Sequence, residues 1–157
     1  MLSVVMAILV CLAGTANAET AQPAVQTPAD IEALVAQKEK LTDTIASIDE
    51  TIEGINYVRT VLIKYKETKP EVSWAGQISG WIAVYDEAIA ICQAQKKVLT
   101  DFLSRNDRVS DDEIQTALKS KNSADFQKRW KSVDEQMCQE EIMSELMNFA
   151  KQQQQKK

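Results

Sequence analysis

The chain has 157 residues, 45% hydrophobic and 26% charged, which is one domain's worth of ordinary globular composition. It contains no histidine, and that excludes Ser-His-Asp and Cys-His catalysis, imidazole zinc sites and histidine-ligated haem together. A net charge of −5 without a basic patch argues against nucleic-acid binding and gives no pull toward anionic lipid.

Residues 2–13, LSVVMAILVCLA, form an uncharged apolar run followed by Ala16-Asn17-Ala18. This is the pattern of a secretion signal cut after Ala18, although no Lys or Arg precedes it. The run is too short for a membrane span, which needs roughly 20 residues. Val10 stands before Cys11 where a lipoprotein would carry a small residue. No Asn-x-Ser/Thr sequon is present, so the expected address is a bacterial periplasm, or secretion. Residues 19–27 read as a mobile leader, 28–151 as one helical domain, and 152–157 as a frayed polar tail.

Thr27-Pro28-Ala29-Asp30 opens the first predicted helix: Thr27 caps, Pro28 suits the first helical position, and Asp30 favours the positive end of the dipole. The helix is expected to run to about Glu67. Its apolar spacing is heptad-like, with Ile31, Lys38, Ile45, Ile52 and Arg59 on one seam and Leu34, Leu41, Ile48, Ile55 and Leu62 on the other. Lys38 marks either the edge of the buried stripe or a polar device that sets oligomeric state. Lys69-Pro70 ends the helix, and Ser73 can cap a second, over about 74–104. Its stripe is Ile78, Trp81, Tyr85, Ala88, Cys92, Gln95, Leu99 and Phe102. The short connection makes the two an antiparallel hairpin.

Ser110-Asp111-Asp112-Glu113 is a capping box for a short helix to about Lys119, with Ile114, Ala117 and Leu118 apolar. Ser123 then caps a last helix over about 124–150, through Phe126, Trp130, Val133, Met137, Ile142, Leu146 and Phe149. The expected fold is all-α: an elongated three-helix up-down-up bundle with a coiled-coil-like hairpin and a short end-capping helix.

Cys92 and Cys138 remain after the signal, and two cysteines in an exported chain usually pair. Cys92 lies 12 residues before the end of the second helix and Cys138 lies 14 after the start of the last. An antiparallel pair would then hold them at similar depth in a disulfide. A catalytic cysteine would need an activating base, and histidine is missing.

The acidic clusters, Asp107 to Glu113 and Asp134 to Glu145, lack the Glu-x-x-His pairs of a di-iron site and the central glycine of an EF-hand. They read as caps and solvated faces. Gly76-x-x-x-Gly80 permits close backbone approach. No cofactor and no metal is expected.

All three tyrosines and two of three tryptophans fall between residues 57 and 85. In the last two turns of the first helix, Tyr57, Val58, Val61, Leu62, Ile63 and Tyr65 cover most of the circumference, whereas a bundle buries one stripe per helix. The surplus is either a wide aromatic core or an exposed partner-binding patch. The candidate patch is Tyr57, Arg59, Val61, Tyr65, Trp74, Trp81, Met143 and Met147. The reading is a non-enzymatic, exported protein-binding component of a bacterial envelope assembly. Its partner is another protein, or a second copy meeting it through helical seams. The alternative is a periplasmic chaperone or an immunity-type inhibitor of a toxin. A carboxylate-based metal protein or enzyme is the third reading.

Overall fold

A computed structural model of the protein describes residues 27–119 and 121–155. These residues form five helices and no strand: α1 (Pro28–Thr68), α2 (Ala75–Leu103), α3 (Asp111–Lys119), α4 (Ala124–Met137) and α5 (Glu140–Gln155). The expected signal, its Cys11 and most of the expected leader lie outside the described residues.

The start of α1 is a reciprocal cap. Thr27 N–H donates to Asp30 Oδ2 (2.9 Å), and Asp30 N–H donates to Thr27 Oγ1 (3.2 Å). The Thr27 hydroxyl and amide hold the Asp30 carboxyl below its usual range. Ser110 and Ser123 cap α3 and α4 through the amides of Glu113 and Phe126, each at 3.1 Å.

The last segment departs from expectation. The single helix expected over 124–150 is two helices, separated by Cys138 and Gln139. Cys138 caps α4 at φ −77°, ψ −3°, and the Gln139 carbonyl accepts from the Met143 amide (2.9 Å) in the first turn of α5. The tail expected to fray from 152 is helical to Gln155. Glutamine is a good helix former, and Gln154 also has a partner in Tyr57 (below).

The chain divides into two compact units. The first joins the residues up to Glu50 with Gln93–Lys121. Its buried side chains are Leu41, Ile48, Gln95, Leu99, Val109 and Ile114. Polar contacts hold the loop after α2 in place. The Gln37 amide brackets Val109, donating to its carbonyl (2.5 Å) and accepting from its N–H (3.1 Å). The buried Gln95 donates to the Leu118 carbonyl at the end of α3 (3.5 Å). Lys96 pairs with Asp49 (2.6 Å), and Arg105 ties Asp107 to Glu113. Arg105 in turn holds the Asp107 carboxyl below its usual range.

The second unit joins Thr51–Cys92 with Asn122–Lys157. Within it α1 and α2 are antiparallel: Arg59 bonds Asp86, and one turn pair further on Lys66 bonds Ser79 (2.7 Å). α2 and α4 are antiparallel as well, with Glu87 against Arg129 (2.6 Å) and Trp81 Nε1 donating to Gln136 (2.7 Å). α5 runs antiparallel to α1, because Tyr65 meets Phe149 while Tyr57, eight residues earlier, meets Gln154. α4 therefore runs with α1 and α5 runs against it, so the chain reverses at Cys138–Gln139. This unit contains four helical segments where three were expected.

Candidate functional site

The reversal decides the fate of the predicted patch. α5 lays Ile142, Leu146 and Phe149 inward, all buried. Phe149 meets the Tyr65 ring edge-on at 5.2 Å. Trp74 stacks on Tyr65 at 4.9 Å, and Trp81 stacks on Trp74 at 5.8 Å. Tyr65, Trp74 and Trp81 are thus core residues, and their assignment to a partner-binding patch is corrected. The chain's own fifth helix meets this surplus at Tyr65, while Val58, Val61 and Ile63 are half-buried and Tyr57 stays exposed.

The rest of the predicted set divides. Val61 is half-buried. Arg59 is also half-buried and engaged with Asp86. Tyr57, Met143 and Met147 face solvent, with 50, 38 and 52% of their surface exposed. The Tyr57 hydroxyl accepts from Gln154 Nε2 at 3.1 Å.

The expected disulfide is overturned: Cys92 is a free buried thiol and Cys138 a free exposed one. The cause is register. With Trp81 opposite Gln136 and Glu87 opposite Arg129, Cys92 is level with the first residues of α4. Cys138 lies at the other end of α4, about 13 residues or roughly 20 Å along the axis. A disulfide spans a Cα separation of only about 4.4–6.8 Å. The symmetry expected between the two helices fails because α2 beyond Cys92 belongs to the first unit with α3. Burial pushes the Cys92 thiol above its usual pKa, which leaves it protonated and inert.

Two buried phenols lie near the reversal. Burial, then the Glu145 carboxylate beside its hydroxyl and Glu71, raises the Tyr65 phenol. Burial and the Asp134 carboxylate raise Tyr85, whose hydroxyl donates to Met137 Sδ at 3.6 Å. Both stay protonated at neutral pH, so neither can serve as a base.

Among the exposed large apolar side chains, Ile31, Val35, Tyr57, Met143 and Met147, the two methionines share the outer face of α5. Met143, Ser144, Met147 and Asn148 line a shallow concavity there, with Cys138 and Glu140 at one end and Lys151 at the other. Sequence reasoning found the two methionines but missed Glu140, Ser144 and Lys151. The signal was present: residues 140, 144, 147 and 151 are spaced four, three, four, a second stripe opposite the buried one. Reading 124–150 as one rod with a single inward stripe hid it.

Among the described residues no group of three or more Cys, Asp or Glu could hold a metal ion. No described helix is long and apolar enough to cross a membrane. Comparison with protein-family models, with curated proteins and with solved structures finds no match.

Proposed function

We propose that the protein is an exported, non-enzymatic protein-binding component of a bacterial envelope assembly, and that the outer face of α5 is its binding face. The observation that carries the reading is the exposure of Met143 and Met147 on one helix face, in a unit whose large aromatic side chains are otherwise buried, Tyr57 excepted. Thioethers on a helix suit an adaptable apolar interface. Export rests on the apolar run and small-residue site of residues 2–18. The absence of histidine removes imidazole-dependent acid–base and nucleophile-activating chemistry.

The test is crosslinking of the tagged full-length chain in its own cells, with and without Met143→Glu and Met147→Glu together. The expected result is one stoichiometric crosslinked species that disappears in the double variant while the helical circular dichroism stays unchanged. A crosslinked species that persists in the folded double variant overturns the assignment of this face.

A further inference from the structure

The charges at the ends of the α5 face say what fits on it. Glu140, Ser144, Met147 and Lys151 form the outward stripe, and all four are exposed. No ion pair among the described residues involves Glu140 or Lys151. The stripe is therefore acidic at its start and basic at its end, with a small hydroxyl residue, Ser144, and one thioether, Met147, between.

We infer that this face pairs with the same face of a second copy of the chain, antiparallel, about a two-fold axis between Ser144 and Met147. That inference rests on the reading of α5 as the binding face. A two-fold axis there sets Glu140 of each copy opposite Lys151 of the other, giving two equivalent ion pairs at the rims. It also sets Met147 opposite the small Ser144, and Met143 opposite Asn148, so each thioether meets a smaller side chain. Such an isologous contact is closed and stops at two copies. A parallel pairing would face Glu140 with Glu140 and Lys151 with Lys151, and like charges in contact oppose it. The four-three-four spacing is that of a helix seam at the usual packing distance of about 8–10 Å. The seam spans only about three turns, so the association is weak and sensitive to salt.

Sedimentation equilibrium of the full-length chain from about 10 μM to about 1 mM, at low ionic strength, tests the pairing directly. The expected result is a monomer–dimer equilibrium. Glu140→Lys alone, or Lys151→Glu alone, raises the dissociation constant by about tenfold or more, because each change places two like-charged pairs at the rims. Glu140→Lys with Lys151→Glu restores dimerisation, since the swapped charges complement each other again. In a Cys138→Ser background, Ser144→Cys close to the axis forms an interchain disulfide under mild oxidation. A chain that stays monomeric throughout, or a dimer indifferent to both single reversals, overturns the pairing. If the reversals change nothing but Met143→Glu with Met147→Glu still abolishes crosslinking to another protein, the self-pairing falls while the binding face stands. If neither set has an effect, both fall.

Discussion

The two units solve the same packing problem with different materials. Buried in the second are Tyr65, Trp74, Trp81, Tyr85, Phe126, Trp130 and Phe149, ring against ring. The buried side chains of the first are aliphatic apart from Gln95, and its loop and short helix are held by hydrogen bonds from the Gln37 and Gln95 side-chain amides to Val109 and Leu118. Large rings remove much area from water and gain from oriented contact. A part-buried amide bracket gives little net stability but fixes position, because breaking it strands two backbone groups. The continuous helices α1 and α2 thus bury aliphatic side chains in one half and a mixture of rings and aliphatic side chains in the other.

The sharpest way to break the aromatic unit is Trp81→Ala. It removes a buried indole and its bond to Gln136, and about 3–5 kcal/mol of stability is expected to go with it in chemical denaturation. Leu99→Ala is the matching probe of the first unit, at a side chain with no exposed surface. It is expected to cost about 2–4 kcal/mol, with faster amide exchange in Gln93–Leu103 and α3 measured by hydrogen–deuterium exchange. Gln37→Ala separates the polar device from the apolar one. It is expected to cost about 1–3 kcal/mol and to raise exchange at Val109 first, leaving the amides of α4 and α5 unchanged. The smallest effect has the opposite sign. A Cβ built on Gly80 meets nothing within 4 Å, so Gly80→Ala in this exposed helix interior is expected to stabilise by about 1 kcal/mol. A thermal melt reads it.

Much of this was legible in the sequence because burial follows periodicity. Leu41, Ile48, Ile55 and Leu62 recur every seven residues and all are buried. The seven inward positions predicted for the last segment, Phe126 to Phe149, are buried as well. The companion seam of α1 is weaker: Ile31 is exposed, and Lys38, Ile45, Ile52 and Arg59 are half-buried. The break at Cys138 escaped because neither glycine nor proline marks it. Its one trace was the five-residue step from Met137 to Ile142, among steps of three and four. A continuous helix would have swung Ile142 off the stripe, whereas a turn resets the phase. Missing that turn hid the fourth segment, and hence the cover over Tyr65. The register that parts Cys92 from Cys138 escaped for a different reason: α2 runs on past the level at which α4 begins.

The first unit is also discontinuous along the chain, built from residues up to Glu50 and a stretch that begins at Gln93. The bond from Gln37 to Val109 closes a loop of 72 residues, which carries a larger entropic cost than the short α1–α2 turn. As the chain emerges in order, Ile48 waits without its neighbours until the second half of α2 and α3 have followed. The hairpin of the other unit, joined across the few residues between Thr68 and Ala75, has all its parts at hand much sooner. A chain stopped after Cys92 would carry an α1 whose first half has nothing to pack on. The order in which the protein is made and the order in which its core can close thus differ at its amino-terminal end.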